Sequence, residues 1–356
     1  MNIRNEIFAM TLRLRILAPM VLLIGGPVPA AQADTLIILN KSEASASLID
    51  LASGEEVARV ATGNAPHEAA VSRDGRTAVA TNYGTAENPG NSLTVIDVAS
   101  ATATKTIDLS PYTRPHGIEF FADGKRVAVT AEAQKALLVV DLDSGSVVQA
   151  IETGQQTSHM VALTADEKRA FVANIGSGSV TAIDLEKGEH IADIETGEGA
   201  EGITITPDGG HVWATNRAAD TVSVIEAESL EVIATLSSAS FPIRAKATPD
   251  GKWVLVSNAQ SDDLTVFAAD SKTEARRISM ALKPSDTEGR LFGDSFGRSS
   301  VPVGVLVAPD GKRAFVAHAN ADVVSVVNLE TWEVEGTLRG GKEPDGMAYS
   351  TLDVRK

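Results

Sequence analysis

The sequence predicts an all-β fold made of seven four-stranded antiparallel sheets, and three observations carry that prediction. A six-residue signature recurs: "LTVIDV" at Leu93–Val98 returns as "LLVVDL", "VTAIDL", "VSVIEA", "LTVFAA" and "VSVVNL". At the place of Asp97 the series runs Asp50, Asp97, Asp141, Asp184, Glu226, Ala268 and Asn328, in steps of 47, 44, 43, 42, 42 and 60. Four short strands in a period of the low forties are the unit of a β-propeller. The composition agrees, since the chain is 43% hydrophobic but only 4% aromatic. Its core must come from Val, Ile, Leu and Ala, and clustered β-branched residues favour strands. The third observation is that the repeats close on themselves. Innermost strands begin at His67, His116, His159, Glu201, Ile243, Val303 and Asp345, and the last, "DGMAYS", has no strands after it. Its missing partners, "TLIILN", "SLIDL" and "EEVARVA", stand at Thr35–Ala61. The two ends together complete the seventh blade, which leaves no open sheet edge.

The third repeat gives the template. Its inner strand starts with "HMVALT" at His159, turns at Ala165-Asp166-Glu167, and returns as "RAFVAN", Arg169–Asn174. "SVTAIDL", Ser179–Leu185, is the third strand, and "EHIADIE", Glu189–Glu195, is the fourth. Apolar residues fill both faces, as blades sandwiched between blades require. Asn40, Asn82, Asn174, Asn216, Asn258 and His318 end second strands, where side-chain hydrogen bonds to turns are expected.

These repeats resemble the YVTN-type β-propeller proteins of bacteria. The matching residues are "FVANIGSGSVTAID" (Phe171–Asp184), "VWATNRAADTVSVIE" (Val212–Glu226) and the "TPDG" turns at Thr206–Gly209 and Thr248–Gly251. The resemblance spans residues 35–350 and implies the fold. It implies little about function, because the scaffold hosts many roles.

Residues 1–33 read as a cleaved secretory leader. Arg4, Arg13 and Arg15 precede the apolar run Ile16–Ile24, and Ala31-Gln32-Ala33 is a small-residue cleavage site. That run is too short to span a bilayer. The expected mature domain is 34–356, released to the periplasm or medium without a membrane anchor. With no cysteine in the chain, disulfides, thiolate metal sites and covalently attached haem are excluded. The formal charge of −16 repels phosphate backbones and argues against nucleic acid as a partner.

The candidate site follows from the alignment of repeats. Seven residues before each turn Asp stand His67, His116, His159, Glu201, Ile243 and Val303, and the C-terminal repeat contributes Asp345. Five consecutive blades therefore offer metal-ligand or proton-transfer groups at one level, and two offer apolar ones. Three imidazoles with carboxylates suit a borderline divalent metal such as zinc, copper or iron. Carotenoid oxygenases and streptogramin lyases are analogous propellers with metal at the centre, although neither motif occurs here. The long segments Tyr83–Asn91, Ser110–Arg114 and Ala281–Pro302 are expected on the same face. The last of these is a lid-like insertion carrying Arg290, Phe292, Phe296 and Arg298. Arg244 has two readings, a cation at the mouth or a partner for surface carboxylates, and the second is favoured. Two chance motifs, "GEGAEG" and "GDSFG", lack the helix or elbow their mechanisms need.

The expectation is a monomeric exported propeller that binds a small ligand or divalent metal at the mouth of its channel, as an accessory to a periplasmic pathway. Two alternatives stand beside it. One is a metal-dependent lyase, lactone hydrolase or oxygenase using His67, His116, His159 and Glu201. The other is a scaffold for a periplasmic protein partner, with no ligand.

Overall fold

A computed structural model describes residues 34–283, 290 and 292–354. The leader reading for 1–33 and the centre of the insertion, 284–289, lie outside the described residues. Seven four-stranded antiparallel sheets are present. Blades 1 to 6 start with inner strands Pro66–Val71, Pro115–Phe120, Ser158–Leu163, Ala200–Ile205, Pro242–Ala247 and Pro302–Val307. Blade 7 joins the C-terminal inner strand Pro344–Ser350 to Thr35–Asn40, Ser45–Asp50 and Glu55–Ala61. Ile37 pairs with Ala348 across that closure. Among the described residues no helix is long and apolar enough to cross a membrane.

The packing explains the composition. Second and third strands are buried on both faces, while fourth strands alternate, as in Ser146–Glu152 with only Ile151 fully covered. Between blades 1 and 2, Val79 and Leu93 interlock with Val127, Val129 and Leu138, all fully buried. Each such side chain contributes roughly 1.5–3 kcal/mol on burial. The turn Asp recurs because it nucleates the hairpin: Asp208 Oδ1 accepts the Gly210 amide at 2.9 Å and the Thr206 hydroxyl at 2.5 Å. The Tyr83–Asn91 segment is less loop than expected. Strands Thr77–Gly84 and Pro89–Asp97 extend into it, with Gly84 paired to Pro89.

Two features position the channel. Each inner strand carries a register shift near its start, for example between Pro66 and Ala69 in blade 1 and between Pro115 and Ile118 in blade 2. Such bulges re-aim a side chain, and the bulged stretch holds the residue at the candidate level. In four blades the next residue is glycine, because the neighbouring strand passes too close for a side chain. A Cβ on Gly117 would lie 2.6 Å from the His159 carbonyl oxygen, and one on Gly346 would lie 2.2 Å from that of His67.

Candidate functional site

Hydroxyls on second strands fasten the site residues of the next blade. Thr81 Oγ1 donates to the His116 carbonyl at 3.0 Å, and Thr130 Oγ1 to the His159 carbonyl at 2.6 Å. The inner strands are thereby locked side by side, and their side chains converge. His67, His116 and His159 form a contiguous cluster, His67 edge-on to His116 at 4.6 Å between ring centroids and His116 tilted over His159 at 3.5 Å, and Tyr83 stacks on His67 at 4.6 Å. All five predicted polar residues are buried. They line one cavity of ≈ 730 Å³ at the mouth of the channel, with Ile243 and Val303 on its far wall.

The hydrogen bonds assign the ring protons. Lys41 Nζ donates to His67 Nε2 at 3.2 Å, so the proton of that ring sits on Nδ1. His159 Nδ1 donates to Glu132 Oε1, while its Nε2 lies 3.2 Å from Glu201 Oε1 without hydrogen-bond alignment. Tyr83 donates its hydroxyl to Glu132 Oε2 at 2.6 Å. His116 is different, since both of its ring nitrogens are buried with no partner among the described residues.

Charge follows the same pattern. Burial, then the neighbouring cations Lys41 and His159, push His67 well below the ordinary histidine range. Burial and the flanking imidazoles do the same to His116. Burial would depress His159 too, but Glu132 and Glu201 outweigh it and raise the pKa. Rings this close disfavour more than one imidazolium, and His159 is the one with carboxylates at both ends. Burial would raise Glu201, yet His159, Arg217 and Arg244 hold it down to about 2. Asp345 is pushed by burial up to about 6 against the pull of Lys41 and Arg244.

Several residues escaped the sequence reading. Lys41, Tyr83, Glu132 and Arg217 all line the cavity, and three of them follow the Asn that ends a second strand. In blade 2 that Asn is replaced by Ala131, and Glu132 follows it. One step past the Asn ladder was the signal. A third ring is formed by the residues before the inner strands. Ala65, Arg114, Thr157, Phe241, Val301 and Glu343 all have positive φ, between 46° and 62°, which costs backbone strain and turns the chain into the mouth.

Arg244 corrects an expectation. It pairs with no surface carboxylate. Its Nη2 donates to Glu68 Oε1 at 2.8 Å and its Nη1 to Glu201 Oε1 at 3.0 Å, all inside the channel. The insertion is also reassigned in part. Arg290 and Phe292 line the cavity, but Arg290 is held by Asp322 at 2.7 and 2.8 Å and is no free anion ligand. Phe296 packs on Phe292 and Phe241 with centroids 4.9 and 4.8 Å away, and Arg298 is exposed outside the lining. As expected, the Asn ladder is structural: Asn174 Nδ2 donates to Thr181 Oγ1 at 2.9 Å.

His116, Glu132 and His159 each offer a ligand atom within 4.8 Å of the others. The donor set is two imidazoles and a carboxylate, the chemistry that zinc, copper and iron accept.

The comparisons agree with the architecture. A family model described as YNCE-like beta-propeller matches residues 157–289, in keeping with the YVTN-type resemblance. Among solved structures, a chain of Kuenenia stuttgartiensis hydrazine synthase is similar at 20% identity and a TM-score of 0.67, covering 83% of this chain and 92% of that one. A functionally unknown protein from Desulfotomaculum acetoxidans is similar at 14% identity and a TM-score of 0.72, covering 90% and 99%. At such identities the likeness is one of fold alone. No curated protein matches the chain at a significant level.

Proposed function

We propose that this propeller is exported and binds a small ligand in the cavity at its channel mouth, next to a divalent transition metal held by His116, His159 and Glu132. One observation carries the reading: His116 buries two ring nitrogens that bond to nothing among the described residues. Each unsatisfied buried polar atom costs about 1–3 kcal/mol, and a pure scaffold gains nothing from that cost. Coordination would remove it, and would require the His159 ring to release its extra proton to solvent, since only a neutral imidazole binds a metal. His67 is outside the proposed metal set, because the clustered ligand atoms are those of His116, Glu132 and His159. Glu201 and Asp345 become neighbours that balance charge. A bound zinc, copper or iron would supply Lewis acidity beside the ligand. The leader-like residues 1–33 support export, and the proposal extends to a monomer accessory to a periplasmic pathway.

The test is elemental analysis and zinc titration of the mature protein. Wild type should take up one equivalent, His116→Ala should take up none, and His67→Ala should retain it. A protein that emerges metal-free and resists zinc, copper and iron overturns the metal reading.

A second reading, a metal-dependent lyase or hydrolase, is supported by Lys41 and Asp345. Burial lowers the ammonium pKa and raises the carboxyl to about 6 in one cavity, which moves both toward acid–base use near neutrality. Turnover of lactones that is abolished by His159→Ala and Asp345→Asn would favour it.

A further inference from the structure

The wall of the mouth changes character around the ring. Blades 5 and 6 present Ile243 and Val303, and the insertion adds Phe292. Opposite them, Arg114 and Lys41 flank Tyr83 and His67.

The five cations of the cavity are not equally engaged. Arg217, Arg244 and Arg290 are committed to carboxylates at 2.6, 2.8 and 2.7 Å. Arg114 is not. Its guanidinium lies 5.2 Å from the Tyr83 ring centre, interacts with the Tyr83 hydroxyl, donates one long bond of 3.4 Å to the Thr85 carbonyl, and forms no ion pair among the described residues. Its fork of N–H donors is shaped for a carboxylate. Lys41 spends one donor on His67. It makes only a long ion pair with Asp345, at 4.0 Å, and Glu343 accepts the Ser42 hydroxyl. Donors with spare capacity thus share one cavity with an apolar wall.

We propose that the ligand is a small organic anion, a carboxylate joined to an apolar body. The carboxylate sits between Arg114 and Lys41, and the body lies against Ile243, Val303 and Phe292. The inference rests on the small-ligand reading above but does not require the metal. In a partly desolvated cavity such charge-assisted bonds are stronger than in water. An inorganic anion could use the same donors but would leave the apolar wall uncovered.

The test is calorimetric titration of the mature protein, both metal-stripped and zinc-loaded. The probes are hexanoate, benzoate, hexanol, benzyl alcohol, hexylammonium and inorganic phosphate. The carboxylates should bind at least about tenfold more tightly than the alcohols, and Arg114→Met or Lys41→Met should remove about that factor. Arg114→Lys, which keeps the charge, should recover part of it, so loss of fold is told apart from loss of a contact. Phe292→Ala should weaken hexanoate and leave phosphate unchanged. Alcohols or hexylammonium binding as well as the carboxylates would overturn the proposal. So would phosphate matching hexanoate, or no probe binding at all. Zinc uptake by the same variants reports on the metal separately: carboxylate binding without zinc sinks only the metal, and zinc without carboxylate binding sinks only this inference.

Discussion

Arg244 and Glu68 meet across the channel, Nη2 to Oε1 at 2.8 Å, although they belong to blades 5 and 1 with two blades between them. With Glu201 on its other nitrogen, Arg244 forms a crossbar. Above it lies the histidine cavity. Below it lies a second cavity of ≈ 470 Å³, lined by inner strands and touched by the same Arg244 and Glu68. Arg244 thus stands between the two cavities, and a ligand bound as proposed would exchange through the mouth.

Removing the crossbar tests this. Arg244→Met leaves Glu68 buried without its cation, while Glu201 keeps Arg217 at 2.6 Å, and breaking a buried pair in this way costs about 3–5 kcal/mol. Urea unfolding should show a loss of that order, and Glu68→Gln, which keeps a hydrogen-bonding group, should lose less. A loss under about 1 kcal/mol for Arg244→Met would mean that the crossbar is not formed in solution.

The fold was legible because its signals repeat. Asp208, Asn216 and the apolar third strand recur with fixed offsets, so an error in one blade is corrected by six others. The site was half legible for the same reason. His67, His116, His159, Glu201 and Asp345 occupy one repeated position, and the inner-strand bulge aims them alike. Glu132 was hidden because blade 2 lacks the Asn that marks its place. Arg244 was misjudged because its partner, Glu68, is 176 residues away, and the sequence gives no register between blades that are not neighbours.

The glycine after the site residue should limit how closely blades approach. Gly117→Ala sets a Cβ 2.6 Å from the His159 carbonyl and 2.8 Å from Met160 Cα. Overpacking of this kind costs about 1–3 kcal/mol, and it displaces His159 from His116. Zinc affinity should fall together with stability. Gly336→Ala, with nothing within 4 Å of its Cβ, is the control and should change neither. Equal behaviour of the two variants in chemical denaturation and zinc titration would refute the close-approach argument.

The Asn ladder should be worth more than a turn cap. Asn174 accepts the Ser158 hydroxyl at 2.9 Å and donates to Thr181 at 2.9 Å, tying three strands of blade 3 together while fully buried. Asn174→Ala removes both bonds, although Ser158 keeps Thr153 and Thr181 keeps Asp193, each at 2.7 Å; a lost bond costs about 0.5–1.5 kcal/mol. A destabilisation of about 1–3 kcal/mol in urea unfolding is expected. A shift indistinguishable from that of an exposed loop substitution would show that water replaces the amide.

Blade 6 breaks the ladder with His318, and this substitution should be visible as acid sensitivity. His318 is fully buried, with Nδ1 2.8 Å from Ser300 Oγ and Nε2 2.9 Å from Ser325 Oγ. Ser300 donates its own proton to Asp262, so Nδ1 carries the ring proton and Nε2 accepts from Ser325. A second proton, on Nε2, would face only the neutral Ser325 hydroxyl and no carboxylate, and burial lowers the pKa to about 4. An unfolded histidine titrates near 6.5. Above that value the ring is neutral in both states and its contribution is complete. As pH falls from about 6.5 to 4 the unfolded chain binds a proton that the folded chain refuses, so stability drops, by about 2 kcal/mol at pH 5. Below about 4 both states are protonated and the loss stops growing. His318→Asn restores the residue used in five other blades, whose Nδ2 can donate to Ser325. Between pH 7.5 and 5 the variant should lose about 2 kcal/mol less than wild type in urea unfolding, since the remaining titrating groups are common to both. Parallel pH profiles would place the acid sensitivity elsewhere, in the neutral rings of His67 and His116.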